Sequence, residues 1–200
     1  MNRRQLLALS LPAFAAAALA PGLLFSGPAA AAPAAPTAAP ATPSADPYAP
    51  TEVAIRDGFE VGSIVVVSKD YFLYHVIAPG RAIRYGVAVG KDELVWKGRA
   101  QIGRKVEWPS WKPTPQMVKR NPDAYAKYAE NGMPGGPGNP LGARAMYLYN
   151  NGADTSIRIH GTTEPGSIGH SVSNGCIRMR NEAVISLFDQ VPIGTPVYVY

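Results

Sequence analysis

The residue types that could carry chemistry are concentrated in one segment, residues 158–179, which reads RIHGTTEPGSIGHSVSNGCIRM. It contains Cys176, the only cysteine of the 200-residue chain, and two of its three histidines, His160 and His170. A free thiol has a pKa of about 8.5 and is only a few per cent ionised at neutral pH, so a nucleophilic cysteine needs a base or positive charges beside it. The segment therefore predicts a cysteine nucleophile activated by histidine, with a thiol pKa below about 8.5.

His160 is the preferred base for Cys176. It ends the strand-like sequence TSIRIHG, and a strand, a loop and a return can bring it to the cysteine. His170 is closer in sequence, but a histidine in a loop is most often solvated. Gly161 and Gly175 flank the two groups, which allows backbone and substrate to approach closely. The peptide N–H groups of Gly175 and Cys176 could then form the oxyanion hole that acyl transfer requires.

Other interpretations of the lone cysteine stay open from the residues alone. One cysteine cannot form an intrachain disulfide, which leaves a buried core thiol or an intermolecular bridge beside the nucleophile. A zinc site of His160, His170 and Cys176 lacks an evident fourth ligand and a Cys-x-x-Cys pair, so we expect no metal. Arg178 could stabilise a thiolate, bind a substrate carboxylate or form a structural ion pair.

The elements that must position these residues are mostly strands. Short runs rich in Val, Ile, Tyr and Phe are separated by Gly, Pro or Asp, which is typical of strands. We expect strands at SIVVVSK, YFLYHVIA, AIRYGVAVG, RAQIGRKVEW, AMYLYN, TSIRIHG and TPVYVY. The first four predict an antiparallel meander, with a turn at SKDY and with His75 as a packed or half-exposed strand residue rather than a catalytic one.

Two segments predict helices. In PTPQMVKRNPDAYAKYAENG we expect a helix over 124–130, capped by Asn121 or Asp123 and ended by Gly132. NEAVISLFDQV has apolar residues at helical spacing, with Asn181 as its expected N-cap. GMPGGPGNPLGAR is too rich in Gly and Pro for a regular element and predicts an ordered loop. The fold class is therefore mostly β, one domain with one or two short helices.

The N-terminal part of the chain predicts export. Residues 1–31 have a positive start followed by an uncharged apolar stretch, which is typical of a signal peptide. Arg3 and Arg4 resemble a twin-arginine signal, although a Sec signal and an uncleaved anchor stay open. Residues 32–50 are rich in Ala and Pro and predict an extended linker. We expect the folded domain at 51–200, in the periplasm or cell wall, with no stable membrane span after cleavage.

Composition and charge exclude one class of partner. The chain is 46% hydrophobic and 16% charged, which suits a globular domain with a real core. Without Arg3 and Arg4, basic residues exceed acidic ones only slightly and are dispersed along the chain. We therefore expect no nucleic acid partner.

The order and spacing of the chemical residues resemble a known family, the L,D-transpeptidases with a YkuD-type catalytic domain. That family has His-Gly, a loop of about a dozen residues, then Ser, a variable residue, Gly-Cys, an apolar residue and often Arg. Here these are His160-Gly161 and the run from Ser173 to Arg178, and the resemblance extends from about Gly62 to Tyr200. It implies a YkuD-like mixed β-sheet sandwich.

The resemblance also implies roles for single residues. Cys176 would be the acyl-enzyme nucleophile and His160 its base, with the imidazole oriented by a backbone carbonyl near Gly161. Ser173, Asn174 and Arg178 would contact substrate, and no cofactor is implied. Asn174 departs from the family pattern, because many members have His there.

The function implied is acyl transfer on peptidoglycan. The enzyme would attack a tetrapeptide stem at diaminopimelate, release the terminal D-alanine and form a 3→3 cross-link through a thioester. Carbapenems would acylate the same thiol. Hydrolysis as an L,D-carboxypeptidase, linking or unlinking of wall proteins, and a non-catalytic wall-binding domain remain alternatives.

Overall fold

The computed structural model describes residues 46–200, so the predicted signal at 1–31 and the linker residues before Asp46 lie outside it. The strands are β1 Thr51–Ala54, β2 Ile64–Val67, β3 Phe72–Ala78, β4 Arg81–Gly86, β5 Val89–Gly90, β6 Gly98–Glu107, β7 Arg144–Asn150, β8 Ala153–His160, β9 Ser171–Ser173, β10 Ile177–Arg178 and β11 Pro196–Val199. The α-helices are α1 Pro115–Arg120, α2 Pro122–Tyr125 and α3 Asn181–Gln190. Short 3₁₀ turns lie at Ser68–Asp70, Asp92–Leu94, Ala126–Tyr128 and Pro165–Ser167.

Nine strands form one mixed sheet in the order β1-β4-β3-β2-β11-β6-β7-β8-β10, and β5 pairs with β9 apart from it. β2, β3 and β4 form the predicted antiparallel meander, with the 3₁₀ turn at the predicted SKDY position. The prediction that β6 continues this meander is wrong. The last strand, β11, inserts between β2 and β6, parallel to β2 and antiparallel to β6. Strand β10 is likewise parallel to β8.

One hydrophobic core joins the two halves of the sheet. Leu73 from the meander packs in the same cluster as Ile102 and Leu148 from the other half. Helix α3 lies against β7 and adds the buried Val184 and Leu187. The mostly β fold with few short helices is therefore confirmed, and its core supports β8, which ends at His160, and β10, which begins directly after Cys176.

The helices before the Gly-rich loop begin and end elsewhere than predicted. Asn121 does cap a helix, because its Oδ1 accepts the N–H of Ala124 at 3.1 Å. That helix, α2, already ends at Tyr125 and gives way to a 3₁₀ turn, so the predicted α-helix over 124–130 is wrong. A separate helix, α1, precedes it within the segment predicted to be helical. Pro122 disfavours helical backbone at Asn121 and separates the two.

Helix α3 begins at Asn181 itself, so the prediction that Asn181 is its N-cap is wrong; Arg180 holds that position without a side-chain bond. The Asn181 amide is used elsewhere. Its Oδ1 accepts the N–H groups of Ala143 at 3.0 Å and Thr162 at 3.2 Å, and its Nδ2 donates to the Thr162 carbonyl at 3.1 Å. It therefore fixes the chain just after His160.

Contacts with the domain already begin at Asp46, before the predicted start at residue 51. Asp46 forms an ion pair with Arg180, and the Tyr48 carbonyl accepts the N–H of Gly86 at 3.1 Å. The Tyr48 ring lies 5.8 Å from that of Phe72. None of the helices formed by residues 46–200 has the length and hydrophobicity needed to span a bilayer.

Candidate active site

The parallel strands β8 and β10, with the loop of residues 174–176 that leads into β10, form what we call the floor, and they bring the predicted nucleophile and base to one face of the sheet. Ile177 pairs with Ile159 and Arg178 with His160. The two isoleucines point into the core. Side chains alternate between the faces of a strand, so the residues beside them point the other way. Those residues line a cavity of about 870 Å³: Arg158, His160, Cys176 and Arg178.

His160 is held by the backbone carbonyl of the next residue, the position predicted for an orienting group. Its Nδ1 lies 2.6 Å from the Gly161 oxygen, and the residue is only 4% exposed. A carbonyl can only accept a hydrogen bond, so Nδ1 carries the proton and Nε2 keeps its lone pair. Burial lowers the pKa of His160 to about 4, helped by the charge of Arg178 and opposed by the Gly161 carbonyl. The imidazole is therefore neutral at neutral pH.

Cys176 is partly exposed at the cavity wall, and its sulfur faces the backbone of β8. Sγ lies 3.9 Å from the Ser156 carbonyl oxygen, a weak contact. Ser156 has a left-handed φ of 63° inside the strand. Within the described part of the chain, no hydrogen bond joins the thiol to the His160 imidazole.

The predicted low pKa of the thiol is wrong for this structure. Burial raises the pKa of Cys176 above its ordinary value, and this outweighs the opposing effects of the Arg158 backbone and of the Arg158 and Arg178 charges. The resting site thus holds a protonated thiol and a neutral imidazole rather than a thiolate–imidazolium pair.

The loop before the nucleophile is braced by Ser173. Its hydroxyl donates to the Cys176 carbonyl at 2.6 Å and accepts the N–H of Gly175 at 3.1 Å. The Gly175 N–H, a predicted oxyanion donor, is thus bonded to the Ser173 hydroxyl in this structure, and the buried Ser173 side chain at the cavity lining already has two hydrogen-bond partners. Gly175 has φ +120°, and a Cβ there would lie 3.0 Å from the Leu94 oxygen.

Gly161 lies at a second close approach. A Cβ on it would overlap the Oδ1 of Asn181, which holds the chain after His160. His170 is exposed and is not one of the residues lining the cavity, whereas His75 is a buried residue of β3. Histidine, cysteine and carboxylate side chains of residues 46–200 form no cluster of three or more that could hold a metal.

The two arginines of the floor are both ion-paired. Arg178 Nη1 lies 2.9 Å from Glu164 Oε2, so of its three predicted roles the structure has the ion pair. Arg158 contacts both carboxylate oxygens of Asp154, at 2.6 and 2.8 Å, and lies over the ring of Tyr147. We did not predict Arg158 or its partners. The alternation in TSIRIHG was the available signal, since it puts Arg158 on the face of His160.

Another wall of the cavity comes from residues 111–133, which we call the cover. Backbone hydrogen bonds of 2.9 and 2.6 Å between Trp111 and Met133 join its two ends. The Trp111 ring lies 6.1 Å from that of Tyr125 and 5.6 Å from that of Tyr128. These three aromatic residues all line the cavity. No pattern in the sequence had pointed to the cover as part of the site.

Asn174 connects the floor to the cover. Its Oδ1 accepts from Arg120 Nη2 at 2.8 Å, and its Nδ2 donates to the Tyr125 hydroxyl at 3.2 Å. The residue that departs from the family pattern therefore binds side chains at the ends of α1 and α2.

A family comparison agrees with this geometry. Residues 62–199 match the model of the YkuD L,D-transpeptidase catalytic domain. The chain belongs to the L,D-transpeptidase family. A protein of Fuscovulum blasticum named "Putative L,D-transpeptidase in ATP synthase subunits region ORF 5" is 35% identical over 212 residues, covering 100% of this chain and 97% of its own. The chain spans about half the length of its curated Escherichia coli relatives.

Two solved structures are similar to this chain, one at high and one at low sequence identity. A Brucella melitensis protein, called a probable carnitine operon oxidoreductase, is 51% identical over 75% of this chain and 92% of its own, with a TM-score of 0.54. The catalytic domain of the Enterococcus faecium L,D-transpeptidase, acylated by ertapenem, is 21% identical over 72% of this chain and 99% of its own, with a TM-score of 0.50. The second likeness concerns the fold alone.

Proposed function

We propose that this protein is a peptidoglycan L,D-transpeptidase that forms 3→3 cross-links through a thioester on Cys176. The observation that carries the proposal is that His160, at the end of β8, and Cys176, directly before the parallel strand β10, line one cavity. The Gly161 carbonyl binds Nδ1 of His160, which leaves Nε2 able to accept a proton. A neutral imidazole that shares a cavity with a partly exposed thiol can act as its base once the two groups come within hydrogen-bond reach.

The first half of the reaction starts from neutral partners. The thiol turns from the Ser156 carbonyl toward His160, and Nε2 takes its proton as the sulfur attacks the carbonyl of diaminopimelate. A carbon–sulfur bond forms, and the carbonyl oxygen becomes an oxyanion for which the Cys176 N–H is the remaining candidate donor. When the tetrahedral intermediate collapses, the peptide bond to D-alanine breaks. His160 returns the proton to the leaving amine, which leaves the acyl thioester.

The second half transfers the acyl group to an amine. The side-chain amine of a second diaminopimelate attacks the thioester carbon and loses a proton to Nε2 of His160. The carbon–sulfur bond breaks, the proton passes to the thiolate, and a new amide joins the two stems. Because His160 is deprotonated above a pH of about 4, it can serve as base in both halves.

The test is to incubate the protein with peptidoglycan rich in tetrapeptide stems, digest the glycan strands and identify the muropeptides by mass. We expect dimers joined through two diaminopimelate residues, and none with the Cys176→Ala variant. Tripeptide monomers alone would instead identify an L,D-carboxypeptidase. Unchanged muropeptides would favour a wall-binding domain and overturn the proposal.

The same site should react with carbapenems. Sγ of Cys176 would open the β-lactam ring, forming a thioester with the lactam carbonyl as its carbon–nitrogen bond breaks. The intact protein would gain the mass of one drug molecule, located on Cys176. Absence of an adduct after long incubation with excess drug would contradict the assignment of the nucleophile.

We also propose that residues 1–31 direct export, so that the domain meets peptidoglycan in the periplasm or cell wall. Cell fractionation and N-terminal sequencing of the mature protein test this. A full-length chain found only in the cytoplasm would contradict it.

A further inference from the structure

Four cationic side chains line the cavity, and they differ in what balances their charge. Arg158 is paired with Asp154 and Arg178 with Glu164. The other two are Lys112 and Arg120. Carboxylates already neutralise two of the four charges. An anionic ligand would therefore gain the most binding energy beside the other two residues.

Arg120 is the one of these two that lies beside the nucleophile loop. The Lys112 ammonium donates to the backbone carbonyl of Glu130, within the cover. The Arg120 guanidinium instead donates to Asn174, two positions before Cys176. Among residues 46–200, no carboxylate forms an ion pair with Arg120. Its charge is therefore oriented but not neutralised.

The Asn174 amide is suited to orient this charge. A guanidinium can only donate, so the amide oxygen must face Arg120 and the amide nitrogen must face Tyr125. A neutral acceptor holds the guanidinium without cancelling its charge, which an aspartate would do. One Arg120 N–H is used by Asn174, and the planar guanidinium has further donors for a two-pronged contact with a carboxylate.

We propose that Arg120 binds a carboxylate of the stem peptide in this cavity, and that Asn174 is the positioning residue that holds its guanidinium beside the nucleophile loop. The proposal rests on the proposed function, because the peptidoglycan stem is the carboxylate-bearing ligand. Arg120 would then make the carboxylate contact that the sequence pattern had suggested for Arg178.

The test measures binding without turnover. In the full chain carrying Cys176→Ala, calorimetry gives the dissociation constant of a synthetic stem tetrapeptide. We expect Arg120→Ala to weaken binding about tenfold, as for a charge-assisted hydrogen bond in a partly exposed site. Lys119→Ala, which removes an equal charge from the same helix outside the cavity lining, should stay within about twofold.

Peptides in which each carboxylate is replaced in turn by a carboxamide identify the group that Arg120 binds. For one of these peptides, Arg120→Ala should cause no further loss of affinity. The proposal would be overturned if Arg120→Ala weakened the binding of every carboxamide peptide equally. It would also be overturned if the Arg120→Ala and Lys119→Ala proteins bound the tetrapeptide with equal affinity.

The Asn174→Asp variant tests whether Asn174 matters because it leaves the charge of Arg120 free for a ligand or only because it attaches the cover. Aspartate has the same size, keeps an oxygen toward Arg120 and adds a carboxylate that neutralises it. We expect this variant to bind the tetrapeptide about tenfold more weakly, while Asn174→Ala loses only about threefold. If Asn174 only attached the cover, the aspartate variant would bind as well as its parent, and the proposal would be wrong.

Failure of this inference can be told from failure of the proposed function. Arg120-dependent binding of the tetrapeptide together with unchanged peptidoglycan would support the carboxylate site and contradict the transpeptidase. Cross-linked dimers produced equally by the wild type and the Arg120→Ala variant would support the transpeptidase and contradict the carboxylate site.

Discussion

The floor and the cover line the same cavity but are built differently. The paired strands of the floor contribute Ile159 and Ile177 to the apolar core, so His160 at the end of β8 and Cys176 directly before β10 are attached to that core. The cover contains two helices of 6 and 4 residues, neither with a fully buried side chain. Helices this short are marginal without packing. The difference suggests a division in which the floor sets the rate of chemistry and the cover sets affinity.

The largest effect should come from the nucleophile in the floor. Cys176→Ser keeps nearly the same shape, but a hydroxyl ionises far less readily and the neutral His160 cannot activate it comparably. We expect the fold to be retained, by circular dichroism, and turnover of tetrapeptide stems to fall at least about 10³-fold. A serine protein with most of its turnover would exclude Cys176 as the nucleophile.

The next largest effect should come from the base. His160→Gln should lower the rate of acylation by about 10²- to 10⁴-fold, because it removes the proton acceptor. His170→Ala, at an exposed position outside the cavity lining, is the matched control and should change the rate little. Single-turnover kinetics with each variant measure both values, and the reverse order would mean that the wrong histidine is assigned.

Changes in the cover should act on binding rather than on chemistry. Trp111→Ala removes the ring that lies against Tyr125 and Tyr128, and we expect KM to rise about tenfold with kcat within about threefold. Trp111→Phe keeps an aromatic ring and should restore most of the affinity. If kcat fell as much as KM rose, the proposed division between floor and cover would be lost.

A smaller effect concerns the ionisation of the thiol. Because burial raises the pKa of Cys176, the rate of its alkylation by iodoacetamide should have a midpoint above the ordinary value of about 8.5. The same protein unfolded in urea provides the reference midpoint. A folded-state midpoint below that of the unfolded protein would indicate a thiolate–imidazolium pair instead.

The smallest effect is on stability at acidic pH. The pKa of His160 is about 4 in the folded protein and about 6.5 when unfolded, so below pH 6.5 the unfolded state takes up a proton that the folded state does not. The free energy of unfolding should therefore fall by up to about 3 kcal/mol as the pH drops from about 6.5 to about 4. Urea unfolding of the wild type and of the His160→Gln variant separates the contribution of His160 from that of other titrating groups. The variant should lose less stability than the wild type between pH 6.5 and about pH 4. If the free energy of unfolding of the two proteins fell equally with pH, the lowered pKa of His160 would be contradicted.

Local patterns were sufficient for the strands and the candidate dyad. Alternating apolar residues with glycine punctuation predicted most strands, and the helical spacing in NEAVISLFDQV predicted α3. These features depend on residues close in sequence. The helices of the cover were misplaced: Pro122 accounts for the break between α1 and α2, but no local pattern predicted that α2 ends at Tyr125.

The tertiary structure decided which strands pair and which charges meet. β11 lies between β2 and β6, and β10 runs parallel to β8, through contacts between distant parts of the chain that no local pattern contains. Contacts between distant parts of the chain also put a carboxylate beside Arg178 and an amide beside Arg120, and the burial that they produce raises the pKa of Cys176. The sequence by itself determined which residues could react, since that depends on their types and order. Only the folded protein determined their ionisation and their partners, because electrostatic interactions depend on distance and burial.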